Sequence, residues 1–241
     1  MAGTFVQSNG NDNDTGGALT VTLGSAPTEG NLILVFMLER NDEPTSDSMT
    51  TAGYTKIDYN RLYTADGTHR RGCAIYYKFA GASESATITG TYTPALGNSI
   101  IYAVEYSNVG AYRSNFGYSD NGNVLNETVF TSSTLTTSAN STIIAATFYK
   151  GQATTPSPTN LSVTYSNGFS AADAYVGAYN YTFAIGSGIV DKASAGSYST
   201  VSTLASNNTD NRDITNVLIE FASDVVAPVG IPEYARVLCI S

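Results

Sequence analysis

Leu32-Ile33-Leu34-Val35-Phe36-Met37-Leu38 decides the fold class. Seven apolar residues without a polar break have the length of a strand, and are far short of the ~20 needed to cross a bilayer. A run that does not alternate belongs to a strand covered on both faces. Ile143-Ile144-Ala145-Ala146 has the same character, so the two are expected to be central strands facing each other across a core. Elsewhere apolar residues alternate with Thr, Ser and Tyr, which predicts strands at 4–7, 19–23, 54–60, 73–79, 86–92, 99–106, 128–135, 161–165, 174–185, 199–204, 214–221 and 236–240. Segments rich in Gly, Asn, Asp, Ser and Pro at 9–17, 41–48, 65–68, 119–122, 151–160, 186–196 and 205–211 read as turns. No segment carries a trustworthy helical period. Short strands at this spacing predict an all-β protein, a β-sandwich of jelly-roll type with antiparallel sheets and little or no helix.

The 241 residues are expected to form one sandwich over 1–222, followed by a Pro-containing extension with a last strand at 223–241. In that extension Pro228 and Pro232 exclude a central strand and favour an extended connector. The last strand then completes its own sheet or adds to the edge of a neighbouring chain.

Charge narrows the partners. A net charge of −9, with Arg70-Arg71 beside His69 as the only basic cluster, argues against nucleic acid, which is bound through clustered Lys and Arg. No membrane partner is expected. Met1-Ala2-Gly3-Thr4 opens without the basic and apolar regions of a secretion signal, so synthesis in a cytoplasm is expected. Cys73 and Cys239 each sit in an apolar run, the setting of buried free thiols, and a disulfide between them is the alternative.

No catalytic set emerges. His69 is the single histidine, with no G-x-S-x-G elbow to supply a nucleophile, and it reads as a surface residue. A carboxylate pair for glycoside hydrolysis would have to come from acids that lie mostly in loops: Asp12, Asp14, Glu39, Asp42, Glu43, Asp47, Asp66, Asp120, Asp173 and Asp210. Glu105, at the end of an apolar run among aromatics, reads as a rim residue, with a buried acid as the alternative. One histidine and two distant cysteines cannot make a usual zinc site. The loop Asn9 to Asp14 offers oxygen ligands for calcium, but lacks the EF-hand spacing and reads as a turn. No phosphate loop is present, and no catalytic, cofactor or metal residue is assigned. Seventeen tyrosines and no tryptophan suggest phenol rings on wet sheet faces, chiefly in Tyr–Thr cross-strand pairs, with glycan or protein contact as a further use.

One set of motifs resembles a known family. Ala26-Pro27-Thr28-Glu29-Gly30-Asn31-Leu32-Ile33-Leu34-Val35, then Gly53-Tyr54, then Tyr76-Tyr77-Lys78-Phe79-Ala80, then Ala103-Val104-Glu105-Tyr106-Ser107 resemble a run found in jelly-roll virion proteins of tailed bacteriophages, of the head-decoration, head-fibre or tail-associated kinds. The resemblance covers about the first half of the chain. It implies a non-enzymatic structural component of the virion, docked on capsid or tail proteins, without cofactor, and a homo-oligomer for which a trimer is plausible. A carbohydrate-binding module recognising a surface glycan and, behind it, a glycoside hydrolase are the alternative expectations.

Overall fold

The computed structural model describes residues 2–15, 17–40, 49–63, 70–93, 98–125, 129–151, 162–177, 183–205 and 211–223. These residues are all-β and contain no helix. The first half supplies β1 (Thr4–Asn13), β2 (Ala18–Thr22), β3 (Leu32–Arg40), β4 (Met49–Thr51), β5 (Thr55–Tyr63), β6 (Arg70–Phe79), β7 (Thr87–Tyr92) and β8 (Ser99–Ser107). The second supplies β9 (Val109–Leu125), β10 (Val129–Thr131), β11 (Leu135–Thr137), β12 (Ser141–Gly151), β13 (Ser162–Tyr165), β14 (Ser170–Val176), β15 (Phe183–Lys192), β16 (Gly196–Tyr198), β17 (Val201–Ala205) and β18 (Asn211–Ser223).

Five antiparallel sheets stack into four layers. The first half makes a five-stranded sheet, β1-β8-β3-β6-β5, and a three-stranded sheet, β2-β7-β4. The second makes a five-stranded sheet, β14-β15-β12-β18-β9, covered by two small ones, β10-β17-β13 and β11-β16. The large sheets face each other in the middle. Leu34, Phe36, Tyr102 and Val104 from one meet Ile144, Phe148, Ile185 and Ile219 from the other. Phe36 anchors this contact edge-on to Phe148, with ring centroids 5.9 Å apart. On the opposite face Ile33, Val35, Met37 and Ile101 pack under Leu19, Val21, Ile88 and Tyr92 of the small sheet. The period of two therefore sends alternate residues of β3 into two different cores, and so the run from Leu32 to Leu38 has no polar position. β12 does the same: Ile144, Ala146 and Phe148 enter the central core, while Ile143, Ala145 and Tyr149 turn outward.

The two halves repeat one strand order. Reading β9, β18, β12, β15 and β14 for β1, β8, β3, β6 and β5 turns one large sheet into the other, neighbour for neighbour. The registers agree as well. Ile33 lies opposite Glu105 and Ile143 opposite Glu220; Leu32 lies opposite Tyr106 and Thr142 opposite Phe221. Both edge strands carry an irregularity beside the glutamate, between Phe5 and Gln7 in β1 and opposite Glu220 and Phe221 in β9. The turns match too: Gly53-Tyr54 and Gly168-Phe169 both have glycine at φ 81°, and both aromatic N–H groups donate three residues back. β1 lies against β14 and β5 against β9, contacts that interchange when equivalent strands are exchanged. The halves are thus related by an approximate two-fold axis through the central core.

Several turn expectations are corrected. Residues 9–13 belong to β1, residues 119–122 lie within β9, and residues 186–192 within β15. In β15 the glycines are strand positions that admit crossing side chains: a Cβ at Gly186 would lie 2.7 Å from Val163, and one at Gly188 2.7 Å from Tyr165. The strand expected at 128–135 is two strands, and the one expected at 174–185 is divided between β14 and β15. The segments 41–48, 65–68, 152–160 and 206–210, His69, Cys239 and the extension from 224 onward lie outside the described residues. Cys73 is buried in the central core.

The repeat makes a quantitative prediction. Gly53 and Gly168 adopt the same left-handed conformation, and a Cβ at either meets nothing closer than 4.0 Å. Gly53→Ala and Gly168→Ala should each cost about 1 kcal/mol through backbone strain alone. Chemical denaturation should return two equal losses; a neutral result at one site would show that the turns are not equivalent.

Candidate functional site

The chemically most conspicuous groups are two buried carboxylates. Glu105 is 0% and Glu220 1% exposed. Glu105 is therefore not the rim residue expected from the sequence, and the alternative of a buried acid is the correct one. β8 continues to Ser107, and the side chain of Glu105 points under the small sheet, on the face that carries Ile101 and Ala103.

Each carboxylate is saturated by donors from two directions. Glu105 Oε1 accepts the Thr28 N–H at 2.9 Å and Asn31 Nδ2 at 2.6 Å, while Oε2 accepts Gln7 Nε2 at 2.5 Å. Glu220 Oε1 accepts the Ser138 N–H at 2.9 Å and Ser141 Oγ at 2.6 Å, while Oε2 accepts Asn115 Nδ2 at 2.6 Å. Thr28 and Ser138 open the turns that lead into β3 and β12; Asn31 and Ser141 close them. Between them stand Gly30 at φ 83° and Asn140 at φ 54°, again in matching places. Gln7 and Asn115 come from the edge strands, each directly opposite its glutamate. The carboxylate thus ties an edge strand to the turn that begins a central strand.

Arg113 adds a charge to the second clasp, with Nη1 3.3 Å from Glu220 Oε1 and further bonds to the carbonyls of Ala139 and Asn140. Burial pushes the Glu220 carboxyl up, but the hydrogen bonds from Ser141, Asn115 and Ser138, together with the charge of Arg113, outweigh it and hold the group below its ordinary range.

This arrangement is suited to holding backbone and not to proton transfer. Glu105 faces the core of the first sandwich and Glu220 that of the second, so both large sheets lie between them and they form no facing pair of the glycosidase kind. Glu39, expected in a loop, is buried at the end of β3, and its charge adds to the burial that raises the buried Tyr92 phenol. Asp12 lies in β1 and accepts the Tyr175 hydroxyl. Asp14 is exposed; Asp42, Glu43, Asp47, Asp66 and Asp210, and the side chains of Asp120 and Asp173, lie outside the described residues.

The calcium candidate resolves into edge-strand chemistry. Asn9 Nδ2 and Asn11 Nδ2 donate to the carbonyls of Thr22 and Thr20, at 2.7 and 2.8 Å, closing the gap between the two sheets. Among the described residues no group of three His, Cys, Asp or Glu is placed to hold a metal. The tyrosines also differ from expectation. Tyr76, Tyr92, Tyr102, Tyr106 and Tyr149 are buried, and Tyr118, at 50%, stands alone as an exposed tyrosine among those described. Two of these hydroxyls donate to acceptors inside the protein: Tyr92 to the Ile100 carbonyl and Tyr106 to Ser187 Oγ.

Comparison with family models, with curated proteins and with solved structures finds no match to the chain. The described residues include no helix long and apolar enough to cross a membrane.

Removing either carboxylate leaves several buried donors without an acceptor. Glu105→Ala and Glu220→Ala should each lower stability by about 3 kcal/mol, read from denaturant midpoints. Because the folded state depresses the Glu220 pKa, its contribution is fully present above the unfolded value of 4.5 and is lost as pH falls through the folded value. Glu220→Gln should flatten that part of the acid limb of the stability profile. An unchanged acid limb would show that Glu220 carries no such linkage.

Proposed function

We propose that the chain is a non-enzymatic structural component of a tailed-bacteriophage virion, acting by docking on capsid or tail proteins. The observation that carries this reading is where its motif residues go. Thr28 and Asn31 of the P-x-x-G-N stretch bind Glu105 of the E-Y-S stretch, so the resemblance rests on one interacting unit. Gly53-Tyr54 forms a defined turn, and Lys78 pairs with Glu84 at 2.7 Å while lying over the Tyr54 ring. The interleaved order β1-β8-β3-β6 against β2-β7-β4 supports the jelly-roll reading of the first half. The same unit recurs in the second half, beyond the region from which the resemblance was drawn.

The surface fits docking better than glycan recognition. Among the described residues, Phe5 and Val6 on β1 and Phe116 and Tyr118 on β9 are exposed apolar side chains on edge strands, and strand edges are where a partner chain can add. Most described tyrosines are turned inward, away from any sugar.

Mass spectrometry of purified virions from the source tests the proposal. The expected result is the chain in particles at stoichiometric copy number. Its absence from particles, together with saturable binding of the recombinant chain on a glycan array, would replace this reading with the carbohydrate-binding one.

A further inference from the structure

The connection between the halves is one residue long. β8 ends at Ser107, β9 starts at Val109, and Asn108 between them stands at φ 58°. Left-handed backbone is uncommon outside glycine, and Asn is among the few residues that tolerate it. The Asn108 side chain holds the turn through Nδ2, which donates to the Ala2 carbonyl at 3.2 Å and to Ser107 Oγ at 3.3 Å. These are exposed or partly exposed contacts.

Among the described residues no sheet is shared across this connection. Both sheets of the first half are built from β1–β8, and the three sheets of the second from β9–β18. The halves therefore meet through side chains of the central core and through polar ties: Ser187 Oγ accepts the Tyr106 hydroxyl, Asp12 accepts the Tyr175 hydroxyl, and Asp191, itself bonded to the Thr142 hydroxyl, accepts the Gly3 N–H at 2.7 Å. Parting them breaks no ladder of backbone bonds. It exposes a large apolar face on each, which only an equivalent face can cover again.

We propose that the chain exchanges halves with a second copy of itself, using Asn108 as the hinge. When Asn108 leaves the left-handed region, β8 and β9 extend away from each other. The second half of each chain then packs on the first half of its partner. Every contact of the central core, and the Gly3–Asp191 tie, is remade between chains. Because the closed monomer and the exchanged dimer hold the same core, concentration and the conformation of one residue decide between them. A short connection that fixes an unfavourable backbone angle is the usual setting for such exchange.

The test uses the full chain, unfolded and refolded at low and at high protein concentration, then analysed by size exclusion with light scattering. Refolding at high concentration should yield a species of twice the monomer mass with an unchanged far-ultraviolet spectrum. That species should persist on dilution, because return requires the central core to open. Asn108→Pro, which fixes φ near −65°, should shift the product to dimer, and Asn108→Gly, which accepts the left-handed angle, should shift it to monomer. A wild-type chain that refolds as monomer at every concentration overturns the proposal whatever Asn108→Pro does. A dimer that forms equally in the Asn108→Gly and Asn108→Pro chains overturns it too, since the hinge would then be elsewhere.

Discussion

A buried carboxylate that bridges an edge strand to the turn before a central strand is the interaction on which the rest depends. A two-sheet unit must close its edge, because the outermost strand has no neighbour to fix its register on one side. Gln7 and Asn115 supply that fixation from β1 and β9, and Glu105 and Glu220 receive it. An anion is needed because the donors include a backbone N–H in a tight turn that cannot pair within a sheet. A buried donor left alone costs about 1–3 kcal/mol, so several converging on one point make the acceptor indispensable. Glu220 stays charged because those donors, together with the charge of Arg113, outweigh the loss of water.

Once both edges are closed, each large sheet is left with an apolar outer side. That side is the one bearing Leu34 and Phe36 in β3, and Ile144 and Phe148 in β12. Neither can face solvent at such a size, and each is the best available cover for the other. The four-layer stack follows from this necessity. Burial of aromatics on both sides of a strand also explains the tyrosines: a chain without tryptophan fills wide cores with phenol rings, and the Tyr92 and Tyr106 hydroxyls reach the Ile100 carbonyl and Ser187.

The sequence made the all-β class, the central strands β3 and β12 and most strand positions legible, because an unbroken apolar run and strict alternation are direct images of burial. It did not reveal the repeat. The reason lies in which residues the halves share. Where the first half packs Met37 opposite Ile101, the second places Thr147 opposite Asn216, joined by a 2.7 Å hydrogen bond, with Ser202 as a second donor. The cores differ between apolar and polar solutions, while the residues that hold backbone, Glu105 and Glu220, Gly53 and Gly168, Gly30 and Asn140, stand in matching places. A search for recurrence of Gly–aromatic and Glu–aromatic pairs would have found the signal that a search on hydropathy averages away. Glu105 was misread for a related reason: its donors, Thr28, Asn31 and Gln7, are far away in the chain, and local context alone suggested a rim.

The two halves also differ at their edges. Ser8 and Phe116 occupy equivalent positions on the two edge strands, as do Gly10 and Tyr118, since Val104 and Ile219, Tyr102 and Val217 are their respective partners. At Gly10 the ring of Tyr175 lies so close that a Cβ would fall 2.1 Å from it, and this face of β1 is covered there. At the matching place on β9 the chain puts out Tyr118, exposed beside Phe116. A molecule with two identical edges would present the same surface twice, related by its own two-fold axis, and could seat on a partner in two orientations. Covering β1 at Gly10 while β9 exposes Tyr118 makes the two edges differ at this place. The symmetry that builds the core is thus broken at the surface.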